Sequence, residues 1–319
     1  MATSGSSNYS TDRDGLITEA LQICKAIGEG GSPSSNQLSD CSRTLNMMVK
    51  AWMSKGLQLW TIEKLVLFPV KNQAIYSFGT GADRMCKQSD FQETELNGDH
   101  ASGATTLTVA GKDGTTSMTS GDVIGVQTDS GGISWTTING APTSTSIVLT
   151  AGISAAASDN NNVYTYTTAF SQRLLRINNI WRRSDDRTDV PIQRLSRQEY
   201  SDLSNKTEAG QIISAYYDPQ LDPGLLSVYQ VPDDNYTDST IFIRGARPFE
   251  DFDAATDTPD FPQEWYLPIA WNLAWLLGPK FGVTGAELNE IGRIAAYHLA
   301  EVSAGDAEDG SIYFVPETQ

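Results

Sequence analysis

One stretch, residues 38–69, constrains the fold of this chain more than any other, because a helical pattern passes directly into a strand pattern. Apolar residues recur there at intervals of three and four, which lines one face of a helix with Leu38, Cys41, Leu45, Met48 and Trp52. Ser54-Lys55-Gly56 ends the helix, since glycine readily adopts the left-handed turn of a helix end. The branched and aromatic run at 57–69 then predicts a strand closed by proline. By itself this pattern is typical of a core helix–strand unit.

A second helix is predicted upstream, over residues 17–27, with a capping pattern between Thr11 and Asp14. The glycine- and serine-rich loop 31–35 joins it to the helix that begins near Leu38. Because this loop is short, the two helices should form an antiparallel N-terminal hairpin. Cys24 and Cys41 fall on the apolar faces of these helices and are expected to be small buried hydrophobes.

The C-terminal part predicts a pair of helices. Asp260 caps the first, Pro268 bends it or delays its regular start, and Gly282 ends it. Thr284-Gly-Ala-Glu287 opens the second as a capping box, and Gly305 closes it. Between residues 169 and 260 the patterns predict a strand at 168–181, a short helix at 198–205, and strands at 212–217, 225–229 and 240–244.

Composition changes near Gly98, and residues 98–168 contain fifteen threonines with few charges. Short alternating runs at 105–109, 122–126, 146–150 and 163–167 predict a small β-barrel or sandwich, in which 121–135 resembles an SH3-like barrel.

The fold class is therefore α+β: an N-terminal helical hairpin and a C-terminal helix pair form a helical body, mixed with strands and carrying this inserted β domain. The predicted segments are 1–97, 98–168, 169–305 and a tail at 306–319. The insert should be a peripheral module that a short link can replace.

The net charge of -17 argues against tight nucleic-acid binding, which depends on lysine and arginine. Residues 218–260 hold ten Asp or Glu against two arginines, whereas 173–206 hold eight Lys or Arg. A solvated acidic surface is the ordinary interpretation of this pattern. The functional interpretation is an acidic lumen through which DNA slides, with the arginine-rich segment meeting acidic neighbours.

Motifs that carry chemistry are weak in this chain. Its two histidines do not form the pattern of a metal cluster or of a nucleophile site. Gly79-Thr-Gly81 lacks the third glycine and the following helix of a dinucleotide-binding motif. A segment from Asp233 starts like a calcium loop but has Asp238 in place of the required glycine. No run approaches the ~18 apolar residues of a membrane span, and the first ten residues lack the features of a signal peptide. The sequence predicts no catalytic, cofactor-binding or metal-binding residue and no membrane partner.

The order of the elements resembles the head-to-tail adaptor proteins of short-tailed bacteriophages. The resemblance rests on the helix ending at Trp52, the strand with Trp60 and Pro69, and the late aromatic segment 261–275, and it covers residues 15–90 and 170–319. It implies a non-enzymatic structural protein of the virion, located at the head–tail junction and assembled in the host cytoplasm. The implied partners are other copies of the chain in a homododecameric ring, the portal protein, and the tail nozzle or tail-tube protein. DNA passes through the ring without specific binding.

Candidate interaction residues follow from this resemblance. Adaptors grip the portal with C-terminal extensions, so the tail cluster Ile312, Tyr313, Phe314 and Val315 is a candidate portal contact. The alternative is a frayed end or a strand docked on its own subunit. Four basic residues are further candidates for portal contact: Arg173, Arg176, Arg182 and Arg183. Trp265, Trp271 and Trp275 are candidates for contacts between subunits, although burial in a large core explains them equally well.

Two other functions stay open at this point. The chain could be a tail-associated protein that binds glycans or degrades cell walls, with the threonine-rich domain facing the sugar. It could also be a tail-tube component further from the portal, which would differ from an adaptor only in its neighbours.

Overall fold

The computed structural model describes residues 5, 8–55, 59–110, 115, 117–184, 187–233 and 239–306. The chain divides into two compact units. The helical unit contains the described residues up to Thr61 and those from Phe249 onward, and the strand unit contains those of Ile62–Pro248. The protein is thus a mixed α+β protein, in agreement with the coarse fold class expected from the sequence.

Within the described residues, helices of the α type number five: α1 (Arg13–Ile23), α2 (Ser35–Trp52), α3 (Arg197–Asp202), α4 (Tyr266–Leu277) and α5 (Gly285–Gly305). The first begins and ends earlier than the predicted 17–27. Its N-cap is Asp12, which lies within the capping pattern predicted between Thr11 and Asp14 and accepts a hydrogen bond from the Gly15 N–H at 2.7 Å. Ser34 caps α2 through a reciprocal capping box with Gln37.

The helical unit is held together by an apolar core in which α1 and α2 both contact α4, and α4 packs along α5. Each apolar residue that lined the predicted face of α2 faces this core, with Cys41 and Leu45 fully enclosed. An aromatic cluster occupies one end of the core and consists of Trp52, Trp60, Phe249, Phe261 and Trp265.

The late helices differ from the prediction at their ends. A 3₁₀ turn, Gln263–Trp265, precedes α4, so Pro268 lies in its first turn, where a missing N–H is tolerated. The predicted delay in the regular start of this helix is therefore confirmed. The capping box at Thr284 is wrong: this side chain makes no capping hydrogen bond, and the Glu287 carboxylate pairs instead with Lys25 Nζ at 2.6 Å.

The strand unit contains fifteen strands among its described residues: β1 (Ile62–Leu67), β2 (Ile75–Phe78), β3 (Met85–Lys87), β4 (Gln92–Leu96), β5 (Thr106–Ala110), β6 (Val123–Thr128), β7 (Gly132–Thr137), β8 (Ser146–Val148), β9 (Asn162–Tyr166), β10 (Arg176–Arg183), β11 (Asp189–Pro191), β12 (Gln193–Arg194), β13 (Ser214–Asp218), β14 (Gly224–Tyr229) and β15 (Thr240–Ala246). The strand predicted from residue 57 begins only at Ile62, after a 3₁₀ turn at Leu59–Thr61, and residues 56–58 lie outside the described part. The strand predicted over 168–181 begins at Arg176.

Three sheets form the strand unit. The first has the order β11-β10-β15-β1-β3 and the second the order β12-β13-β14-β2. One face of the first sheet packs against the second through a shared core that includes Leu65, Ile243 and Leu226. Because side chains alternate along a strand, Val66 and Phe242 point to the opposite face. The first sheet is therefore buried on both sides.

The third sheet, of order β7-β6-β9-β4-β5-β8, curls into a half-barrel. Its edges approach each other, because Asn139 N–H donates to the Val148 carbonyl at 2.8 Å and Thr150 N–H to the Thr137 carbonyl at 2.9 Å. Apolar residues such as Leu107, Ile124 and Val163 fill its interior. The predicted threonine-rich strands all belong to this sheet, together with β4, which precedes residue 98.

The three cysteines, Cys24, Cys41 and Cys86, are buried and are not joined by disulfides. Burial of Cys24 and Cys41 was predicted from their positions on the apolar faces of the first two helices. Burial raises the pKa of all three thiols, that of Cys41 to about 11. A pKa of about 11 leaves about one thiol in a thousand ionised at pH 8, and the thiolate is the reactive form.

We therefore expect Ellman's reagent at pH 8 to label none of the three thiols within minutes in the native protein and all three in guanidinium chloride. The control is a Ser130→Cys variant, whose added thiol lies in the exposed turn after β6. Rapid labelling of more than this one thiol in the native variant would contradict the burial described here.

Candidate interaction surface

The strongest candidate site is an exposed apolar surface on the last two helices. We call it the α4–α5 surface and define it by Leu267, Trp271, Trp275, Leu276 and Tyr297. The exposed fractions of Leu267, Trp275 and Tyr297 are 50%, 45% and 60%. Leu267, Trp271 and Trp275 are four positions apart on α4 and so lie on one face of the helix. Exposed apolar side chains grouped in this way are typical of sites where another molecule binds.

The sequence of α4 explains why this surface exists. Its twelve residues carry no charge, so the helix is apolar on all sides. One side, with Ile269 and Leu273, is fully buried in the helical unit. Asn272 joins this helix to α5 by donating from Nδ2 to the carbonyls of Pro268 at 2.8 Å and Ala295 at 3.1 Å. The other side remains in contact with solvent although nothing in its composition favours water.

The tryptophans of this segment occupy different environments. Trp275 lies against Gly292 of α5, where an added Cβ would come within 2.8 Å of the indole Nε1. This close approach holds the indole in place while nearly half of it stays exposed. Trp271 is half-buried beside His298, with ring centroids 6.3 Å apart. Trp265 lies in the core, 4.9 Å from Trp60 between ring centroids, and is not part of the surface.

Sequence reasoning missed Leu267, Leu276 and Tyr297 as members of this surface. The absence of charged residues in α4 was the available signal for this surface. A helix without a polar face is either buried on all sides or covered by a partner. Tyr297 lies on α5, and its place beside α4 depends on how the two helices pack, which no local pattern reveals.

Two of the candidate arginines are engaged within the strand unit. Arg182 is buried and donates from Nη1 to the Ile212 carbonyl at 3.5 Å. Arg183 binds both carboxylate oxygens of Asp189, at 2.7 and 2.8 Å, and lies 4.2 Å from the Phe242 ring centroid. The hydrogen bonds between them raise the pKa of Arg183 and lower that of Asp189. The positive charge of Arg183 is thus neutralised by a neighbouring strand.

The other two candidates, Arg173 and Arg176, are placed differently. Arg173 donates from Nη1 to the Gln220 carbonyl at 3.4 Å. Arg176 lines a cavity in the strand unit, and its Nε is buried without a hydrogen-bond partner. The structure therefore does not gather the four arginines into one exposed patch.

The tail candidates Ile312, Tyr313, Phe314 and Val315 lie outside the described residues. The last described residue, Asp306, accepts a hydrogen bond from the Leu59 N–H at 3.0 Å. Burial raises the pKa of this carboxyl group. This contact attaches the end of α5 to the segment that precedes β1.

Polar groups elsewhere serve local structure. Asp222 accepts a hydrogen bond from the Thr80 N–H at 2.9 Å, so the Gly79-Thr-Gly81 turn is bound within its own unit, and the bonds from Thr80 lower the pKa of Asp222. Asp257 accepts from the Ala254 N–H at 2.6 Å. Over the part of the chain that the structure describes, no group of three or more His, Cys, Asp or Glu is placed to hold a metal ion.

No helix among the described residues is both long enough and apolar enough to cross a membrane. No family model matches this chain, and no curated protein matches it.

Proposed function

We propose that this protein is a head-to-tail adaptor of a short-tailed bacteriophage, which forms a ring between the portal and the tail and provides a channel for DNA. Its place is the head–tail junction of the virion, and its role is structural rather than enzymatic. Support comes from the order of helices, tryptophan-bearing segments and strands over residues 15–90 and 170–319. In this proposal α1 and α2 act as the N-terminal hairpin of the helical body and α4 and α5 as its C-terminal pair.

The observation that carries the proposal is the α4–α5 surface. A helix without charge that exposes Trp275 and Leu267 is costly in water, and burying such groups against a neighbour gains about 25 cal/mol per Å². Aromatic residues are enriched at the centres of protein interfaces. A head-to-tail contact of this surface with a different face of the next copy generates a closed ring when the rotation between copies closes.

The charge of the chain fits a conduit for DNA. A net charge of -17 repels phosphates, so DNA moving past the protein does not stick to it. Several of the basic side chains are already paired within the strand unit, including Arg183 with Asp189 and Arg197 with Asp218. The partners in this proposal are other copies of the chain, the portal protein, and the nozzle or tube protein of the tail.

We expect Trp275→Glu to weaken self-association by about thirtyfold, or about 2 kcal/mol per contact, because a charge replaces a half-exposed aromatic anchor. Sedimentation velocity and native mass spectrometry over a range of concentrations measure this effect. The matched control is Met47→Glu, which places the same charge on an apolar residue of α2 that is 58% exposed, against 45% for Trp275. Both variants should keep the native circular dichroism spectrum.

Two results would contradict the proposal. One is a protein that stays monomeric at every concentration and also fails to bind assembled portal rings of the same virus. The other is equal weakening by Trp275→Glu and Met47→Glu, which would show that a general change in charge acts, rather than loss of the α4–α5 surface.

A further inference from the structure

A cavity of about 190 Å³ lies within the strand unit, between its first two sheets. Most of the residues that line it are apolar, among them Ile177 and Ile180 of β10, Ala215 of β13 and Leu226 of β14. These four residues are buried in the core that the two sheets share. An apolar cavity of about 150 Å³ accommodates benzene, so this one has room for a single aromatic ring.

One basic side chain, that of Arg194 on β12, reaches into the space between the two sheets. Arg194 pairs in parallel register with Ala215, and residues paired in this way point to the same face of a sheet. Since Ala215 faces the shared core, Arg194 does so too. Its Nη1 donates to the Ile177 carbonyl of the opposite sheet at 2.6 Å. This bond holds the guanidinium group at the cavity that Arg194 lines.

Much of the hydrogen-bonding capacity of Arg194 is left over. A guanidinium group is a fork of several N–H donors, and the bond to Ile177 uses only part of it. Among the residues that the structure describes, Arg194 pairs with no carboxylate, whereas Arg197 pairs with Asp218 at 2.9 Å. A second arginine, Arg176, also belongs to the lining and adds positive charge there. The cavity is therefore positively charged although the whole chain is acidic.

The tyrosine of the cavity wall is already satisfied within the strand unit. The Tyr217 hydroxyl donates to the Leu174 carbonyl at 2.7 Å and accepts from the Leu174 N–H at 3.1 Å. The side-chain hydrogen-bonding capacity that remains for a ligand therefore belongs to donors that carry positive charge. Such donors select an anion, and the fork of an arginine matches the two oxygens of a carboxylate.

We propose that this cavity binds a small aromatic carboxylate, with its ring between the two sheets and its carboxylate on the guanidinium group of Arg194. Small-molecule sites combine apolar walls with a few placed polar groups, as this cavity does. A neutral ring would leave the guanidinium group without an anion, and an inorganic anion would leave the apolar walls uncovered. This assignment rests on the strand unit alone and does not depend on the adaptor proposal.

Fluorine NMR on the full-length protein tests the assignment. The probe is para-fluorophenylacetate, and the dissociation constant is measured from the change of its fluorine signal as protein is added. We expect saturable binding with a Kd of about 0.1–5 mM, the range that a ligand of about ten non-hydrogen atoms can reach. Arg194→Gln should raise this Kd at least about tenfold, because the ligand loses a charged, bidentate partner.

Two further variants separate this site from general electrostatics. Arg197→Gln removes the same charge from an arginine of the same unit that pairs with Asp218 and does not line the cavity, so the Kd should stay unchanged. Ala215→Leu keeps every charge but fills part of the cavity, so binding should weaken at least about tenfold. Equal weakening by Arg194→Gln and Arg197→Gln would overturn the assignment.

Changes in the ligand test both of its parts without any effect on folding of the protein. The neutral para-fluorophenylacetamide lacks the charge and fluoroacetate lacks the ring, so each should bind at least about tenfold more weakly than para-fluorophenylacetate. Equal binding of either compound, or no saturable binding of para-fluorophenylacetate to the unaltered protein, would overturn the assignment even if a variant failed to fold.

Discussion

Replacement of residues 98–168 by a short Gly-Ser link should leave the strand unit unfolded or insoluble. Composition alone presents this segment as a separable module, whereas the structure places its strands beside β4, which lies outside it. Removing β9 and β5 strips β4 of both partners. Removing Tyr164 and Tyr166 uncovers Phe68, which is buried against them on the first sheet.

The size of this effect follows from the aromatic side chains that lose their cover. Each large apolar side chain exposed to water costs about 1.5–3 kcal/mol, and the total stability of a domain is only about 5–15 kcal/mol. Solubility on expression, followed by urea unfolding monitored by tryptophan fluorescence, measures the outcome. As a control, replacing only the turn 140–142 should preserve a cooperative transition, because Gly140 and Ala141 are exposed. A soluble and cooperatively folded protein without 98–168 would show that the half-barrel is dispensable.

Phe68→Ala should destabilise the protein by about 3–5 kcal/mol, the usual loss for a fully buried phenylalanine. The ring is 4.9 Å from that of Trp135, 5.5 Å from Tyr164 and 5.9 Å from Tyr166 between centroids, so its removal leaves a cavity among aromatic side chains. Equilibrium urea unfolding measures the difference in free energy. The matched control is Val148→Ala on β8, whose side chain is 43% exposed and should change stability by less than about 0.5 kcal/mol.

A loss below about 1 kcal/mol for Phe68→Ala, or equal losses for both variants, would mean that the contact between the first sheet and the half-barrel contributes little to stability. Since the segment replacement depends on the same contact, the two experiments check each other. If the point variant is severe while the segment replacement is mild, the remaining sheet repacks in the absence of its cover.

Much of the local structure was predictable from near neighbours in the sequence. The 3-4-3-4 spacing from Leu38 to Trp52 identified α2 and its buried face, and glycine identified the end of α5 at Gly305. The Asp12 cap of α1 lies within the capping pattern predicted between Thr11 and Asp14. The capping box predicted for α5 was wrong, because the Thr284 side chain makes no capping hydrogen bond and Glu287 pairs with Lys25.

The candidate surface was predictable only in part. The spacing of Trp271 and Trp275 placed both on one side of a helix, yet spacing does not reveal which side of an entirely apolar helix meets the core. Packing of α5 decided that, because Gly292 leaves room for the Trp275 indole. Packing also put Trp265 in the core, where Trp52, Trp60 and Phe261 surround it.

The arginines show the same difference between what the sequence predicts and what packing determines. By itself the sequence determined that residues 173–206 are rich in basic side chains, that the helices and most strands exist, and that the whole chain is acidic. Only the tertiary structure decided that Arg183 binds Asp189 and that Arg176 is left with a buried donor beside a cavity. The physical reason is range: a helix or strand pattern is set by residues a few positions apart, whereas the partner of a charge or a ring comes from whichever strand or helix the fold brings against it.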